Sequence, residues 1–130
     1  MTLQLRVYVP PHPLIKHWLA VARDQATPSV LFRSGMAELG RWLTYEAIRE
    51  WLPTIDTQVN TPLAPCAASF INPEVPLAVI PILRAGLALM EGAQALLPLA
   101  SVYHIGVVRN EETLEHFFPQ ARILGCQYRF

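Results

Sequence analysis

Leu77-Ala78-Val79-Ile80-Pro81-Ile82-Leu83-Arg84-Ala85-Gly86-Leu87 is the stretch that decides the fold. Residues 77–83 form a continuous apolar run, the pattern of a central parallel strand buried on both faces. The run ends on Arg84 and turns at once, through Gly86, into an apolar helix predicted over 86–97 and stopped by Pro98. A second apolar run over 101–108 ends on Arg109. Strand, helix and strand together have the size of a right-handed βαβ crossover, which places the chain in the α/β class.

In an open parallel sheet, ligands bind beyond the carboxyl ends of the strands, where helix N-termini point free N–H groups. Arg84 and Arg109 both fall at that edge. A guanidinium is always charged and fork-shaped, so two of them suit phosphate or pyrophosphate. The plainer alternative is that each arginine caps a strand end and pairs with Glu91, Glu111 or Glu112. Two arginines together, with Gly86 permitting close backbone approach, favour the anion.

Working outward, residues 13–23 predict a helix with Pro13 at N1 and a stripe of Leu14, Ile15, Trp18, Leu19 and Ala22. Thr27-Pro28 reads as N-cap plus N1 of a long second helix. Its Phe32, Met36, Leu39, Leu43, Ala47 and Trp51 recur at helical spacing until Pro53. From Pro53 to Pro76 the chain is proline-rich, with strand-like alternation over 55–61 and 66–71, which suits a small hairpin at a sheet edge. Downstream, Asn110-Glu111-Glu112-Thr113 forms a polar turn. Ile123-Leu124 is a last apolar pair able to start one more strand.

The chain's 130 residues are enough for a single domain. Hydrophobic residues make up 52% and charged ones 15%, so an extensive interface or missing partner structure is expected. Ten basic and ten acidic residues cancel, leaving no electrostatic footprint for nucleic acid and no polybasic membrane anchor. Cys66 and Cys126 lack paired spacing, and the first residues show no signal-peptide pattern, so a cytoplasmic location is expected. The apolar region 75–100 contains Arg84, Glu91 and three prolines, which argues against a transmembrane helix. His12, His17, His104 and His116 show no metal-ligand spacing, and His104 reads as a packing residue within a strand. No Ser/His/Asp set, GxxxxGK loop or GxGxxG is present.

Pro81-Ile82-Leu83-Arg84-Ala85-Gly86-Leu87 resembles the signature of the uracil phosphoribosyltransferases. His12-Pro13-Leu14-Ile15, Arg23-Asp24, Phe32-Arg33, Leu43-Thr44-Tyr45-Glu46 and Arg109-Asn110-Glu111-Glu112-Thr113-Leu114-Glu115 stand in that family's order. The match spans residues 12–115. The resemblance implies a type I phosphoribosyltransferase fold, here a partial parallel sheet with two N-terminal helices and an edge hairpin. It also implies transfer of the phosphoribosyl group from phosphoribosyl pyrophosphate to uracil, giving UMP and pyrophosphate in pyrimidine salvage, with Mg2+ on the pyrophosphate. Within the family the arginines matching Arg84 and Arg109 contact phosphoribosyl pyrophosphate, with the backbone of Ala85 and Gly86 beside them.

The sequence also departs from the family. After a strand comparable to Arg122-Ile123-Leu124 the family has an Asp-Pro-Met-Leu-Ala-Thr-Gly-Gly loop that wraps the ribose and 5-phosphate. Here Gly125-Cys126-Gln127-Tyr128-Arg129-Phe130 follow. His116 stands where the family usually has proline, in a stretch shorter than the family's, so 116–130 reads as a divergent tail. The expectation is therefore a truncated, frame-shifted or externally completed domain whose active site is incompetent alone. Two alternatives stand beside it: a non-catalytic module pairing with a full-length relative, and a marginally folded relic. An unpaired sheet edge and exposed apolar faces predict self-association.

Overall fold

The computed structural model describes residues 7–113, 116–117 and 124–126. Leu114, Glu115, Arg122, Ile123 and the 127–130 segment, all invoked above, lie outside the described residues. Helix α1 (Pro13–Arg23) begins at the expected proline, and its cap is His12, whose Nδ1 accepts the Leu14 N–H at 3.2 Å. The same ring stacks on Trp42 with centroids 5.4 Å apart, tying α1 to the next helix. Helix α2 (Ser29–Ile48) follows Pro28. Thr27 does not act as its N-cap: the hydroxyl donates to the Val21 carbonyl at 2.8 Å, back across the corner, and no side chain caps α2. The helix also stops short of Trp51. Leu52 precedes Pro53 and is biased to extended backbone, so the chain unwinds a turn before the proline.

Strands β1 (Thr54–Asn60) and β2 (Pro65–Ile71) form the expected antiparallel hairpin, in register from Thr54 opposite Ile71 to Asn60 opposite Pro65. The Thr61 hydroxyl closes its turn, donating to the Ala64 carbonyl at 2.6 Å and accepting the Ala64 N–H at 3.2 Å. Among the described residues the two strands pair only with each other, so the hairpin is a sheet of its own.

The expected strand over 77–83 is interrupted. It becomes β3 (Ala78–Val79) and β4 (Ile82–Leu83), because Pro81 has no N–H to give a ladder. Helix α3 (Gly86–Leu96) then leads to β5 (Ser101–Gly106), which completes the expected unit of strand, helix and parallel strand. Ala78 lies opposite Ser101, Val79 opposite Val102, Ile82 opposite Ile105 and Leu83 opposite Gly106. This constant offset shows that β3 and β4 are two pieces of one edge along β5.

Nor is that edge buried on both faces, as its apolar run predicts. Pro81 is buried, but Ile80 is 51% and Ile82 56% exposed. Strand β6 (Val108–Arg109) pairs antiparallel with β7 (His116–Phe117), and β8 (Leu124–Cys126) lies antiparallel along β5, with Leu124 opposite His104.

The three helices pack through glycines. An added Cβ at Gly40 would collide with the Leu89 carbonyl oxygen, and one at Gly92 with the Ala37 carbonyl oxygen. The backbones of α2 and α3 therefore touch. At Gly35 a Cβ would meet Trp18 Cε3 at 3.5 Å and Val21 Cγ1 at 3.6 Å, ordinary contact distances between α1 and α2. Ile15, Leu39, Ala93, Leu97 and Val102 form the buried apolar core. No helix among the described residues is long and apolar enough to cross a membrane.

Candidate functional site

Strand β4 ends at Leu83, Arg84 and Ala85 make the turn, and α3 starts at Gly86. The Leu83–Arg84 peptide bond is cis. The turn is closed by the Leu87 N–H, which donates to the Arg84 carbonyl at 3.1 Å. No side chain caps α3, so its first turn presents backbone donors beside Arg84. Gly86 lacks a positive φ and lies hard against Pro81: a Cβ there would be 3.1 Å from Pro81 Cα. The close approach that Gly86 permits is to its own chain.

Arg84 is exposed. Among the described residues no carboxylate lies within ion-pair distance of it. Glu91, a candidate partner, instead pairs with Arg33 at 3.6 Å, linking α2 to α3. A cavity of ≈ 750 Å³ opens beside the turn, walled by α2, α3 and the β3–β4 edge. Arg84 and Thr44 carry the only polar side chains of its lining; Leu43, Ile80, Ile82 and Leu89 are typical of the rest. The arrangement offers one uncompensated cation, one hydroxyl and apolar walls.

Arg109 stands differently from the expectation of one strand over 101–108. Strand β5 ends at Gly106, level with Leu83, and Arg109 lies beyond it in β6, opposite His116. The Arg109 backbone is thus part of a two-stranded ribbon; its side chain lies outside the described atoms. The break follows Gly106, a residue that weakens strand interiors. Asn110 starts the expected polar turn, its Oδ1 accepting the Glu112 N–H at 2.9 Å and the Thr113 N–H at 3.2 Å. Ala85 and Gly86 sit at the turn as read from the sequence.

Sequence reasoning passed over Thr44 as a cavity residue and Pro81 as the contact of Gly86. Thr44 lies one residue past Leu43 of the helical stripe, so periodicity marked its neighbour. Pro81 was legible only as an apolar member of the strand.

The family model for uracil phosphoribosyltransferase matches residues 9–122. The chain is 71% identical to a uracil phosphoribosyltransferase from Nostoc sp. over 134 aligned residues, covering 95% of this chain and 62% of the relative. It is 70% identical to a uracil phosphoribosyltransferase from Synechocystis sp., covering 88% of this chain and 53% of the relative. The chain thus spans little more than half the length of these curated relatives. A solved structure of an Aquifex aeolicus protein superposes with a TM-score of 0.73 at 41% identity, covering 82% of this chain and 50% of that one. The strand-turn-helix unit that carries Arg84 lies inside all the matched length that the family model delimits, and the chain belongs to the uracil phosphoribosyltransferase family.

Proposed function

We propose that this chain supplies the pyrophosphate side of a phosphoribosyl pyrophosphate site, in the reaction that joins the phosphoribosyl group to uracil and gives UMP and pyrophosphate. The observation that carries the proposal is Arg84: an exposed guanidinium without a carboxylate partner among the described residues, at the carboxyl end of a parallel strand. Negative charge builds on the pyrophosphate as its bond to the ribose carbon breaks. A guanidinium held beside that position lowers the barrier by meeting the developing charge. Arg109 and the backbone of Ala85 and Gly86 are proposed to share the same anion.

Magnesium would come with phosphoribosyl pyrophosphate and would offset part of the pyrophosphate charge. Among the described residues no cluster of three or more His, Cys, Asp and Glu offers it a resident site. These 130 residues do not contain the Asp-Pro-Met-Leu-Ala-Thr-Gly-Gly loop, whose successive N–H groups would cradle the 5-phosphate. A polypeptide of these residues alone is therefore expected to bind the donor without turning it over. The proposed setting is cytoplasmic, as a homo-oligomer or paired with a full-length relative. The second reading, a non-catalytic module that pairs with such a relative, draws on exposed apolar side chains such as Phe32, Trp51, Ile80 and Ile82.

Two measurements test this. Purified chain incubated with phosphoribosyl pyrophosphate, magnesium and labelled uracil should give no UMP; measurable UMP would show the missing loop to be dispensable. Calorimetric titration with phosphoribosyl pyrophosphate and magnesium should show binding that Arg84→Ala weakens by roughly tenfold to a hundredfold, the loss of one charge-assisted contact. Equal affinity in the variant would remove Arg84 from the site.

A further inference from the structure

We propose that Pro81 is a positioning residue for Arg84, acting through Gly86. The inference rests on the reading of Arg84 as the anion-binding arginine.

From Pro81 the chain runs through Ile82 and Leu83, turns at Arg84 and Ala85, and comes back onto Pro81 at Gly86. The return is close: a Cβ on Gly86 would lie 3.1 Å from both Cα and Cβ of Pro81 and 3.3 Å from its carbonyl carbon. Among the described residues no glycine has a positive φ, so what position 86 requires is the missing side chain. Pro81 is itself held fast. It is buried, its ring locks φ, and its carbonyl accepts the Ile105 N–H at 3.2 Å, fixing it to β5.

Arg84 thus rides at the apex of a short loop whose two feet, Pro81 and Gly86, are in contact. The Leu87 N–H bond to the Arg84 carbonyl, 3.1 Å long, closes the same loop from the helix side. A loop pinned at both feet holds its apex at one pitch, so the Arg84 backbone is set before an anion arrives and less ordering is needed on binding. Pro81 touches no substrate in this account. Its effect is to remove freedom from the arginine, and in doing so it interrupts the β3–β4 ladder.

The test uses the whole chain, pyrophosphate with magnesium as the probe, calorimetry for affinity, urea midpoints for stability and hydrogen exchange at the Leu87 amide. Gly86→Ala forces the feet apart. It should weaken pyrophosphate by about threefold to tenfold, since small misplacements of a contact are felt strongly, and should speed Leu87 exchange relative to amides in the middle of α3. In an Arg84→Ala background Gly86→Ala should cost less affinity than in the parent, the remainder being the share of the Ala85 and Gly86 backbone; an equal loss there would show that position 86 does not act through Arg84.

Pro81→Gly adds no heavy atom beside Gly86, and it frees φ at the fixed foot while restoring an N–H. It should change affinity and Leu87 exchange in the same direction, and it serves where Gly86→Ala does not fold. Unchanged Leu87 protection in Pro81→Gly overturns the positioning role whatever the ligand does. If Arg84→Ala binds pyrophosphate as well as the parent chain, the anion reading fails by itself, and the Leu87 amide still decides whether Pro81 holds the turn.

Discussion

His12 accepts a backbone N–H at the start of α1 and stacks on Trp42 of α2, so one side chain both starts a helix and docks it. His12→Ala removes the acceptor and the stack together. It should lower stability by about 1 kcal/mol, the usual loss of a capping side chain, while His12→Asn should recover part of it; paired urea melts check both. This cap was hidden in the sequence because imidazole is an uncommon capping group, whereas Pro13 at N1 was legible from its fixed φ. The place of Arg84 was legible for a similar reason: an apolar run that meets a guanidinium and then a glycine puts the arginine at a strand-to-helix turn. Arg109 looked equivalent, but nothing in an apolar run over 101–108 shows that the ladder stops at Gly106. At Arg84 itself, Lys keeps the charge and loses the planar fork. Arg84→Lys should therefore bind phosphoribosyl pyrophosphate between the parent and Arg84→Ala in calorimetry, and an affinity equal to the parent would mean that only charge matters there.

Between elements, glycine decides how closely helices approach. In a helix interior where the added methyl group finds room, replacing Gly by Ala stabilises by about 0.5–1 kcal/mol. Gly35 should follow that rule, because its added Cβ meets Trp18 and Val21 at ordinary contact distances. Gly40 and Gly92 should reverse it. Their added Cβ atoms would strike carbonyl oxygens of the facing helix, which are backbone and cannot rotate away, so overpacking of about 1–3 kcal/mol should outweigh the propensity gain. Urea midpoints for Gly35→Ala and Gly40→Ala, two substitutions in one helix, should therefore move in opposite directions; a rise for both would mean that α2 and α3 are not in backbone contact. The helices, the hairpin and the parallel pair were all readable from periodicity and proline placement. The close helix crossing was not, since a glycine in an apolar helical pattern does not announce what lies against it. The split of β3 from β4 was missed for a simpler reason: Pro81 was counted for its hydrophobicity rather than for its missing donor.

For the whole molecule, the accessible surface is 11185 Å². A compact monomer of 130 residues exposes roughly 6,900 Å². Much of what is turned outward among the described residues is apolar: Val30, Phe32, Trp51, Ile80, Ile82 and Leu99 are all exposed. The 52% hydrophobic composition is therefore only partly spent on the core, which consists of a few side chains between α1, α2, α3 and β5. A stable protein interface buries about 800 Å² per partner, and these exposed apolar side chains are what it would cover. With a formal net charge of 0, long-range repulsion does not oppose association. The isolated chain should therefore self-associate, and its weight-average mass in sedimentation equilibrium should rise with concentration across the micromolar range. Because the driving force is apolar, raising salt should leave the association intact or strengthen it, whereas charge pairing would be screened. Val30→Glu places a charge on an exposed position of α2 that does not line the cavity beside Arg84, and should shift the mass toward the monomer while Arg84-dependent binding of phosphoribosyl pyrophosphate persists. A single monomeric species at high concentration, with the parent sequence and at high salt, would show that the exposed apolar faces do not drive association.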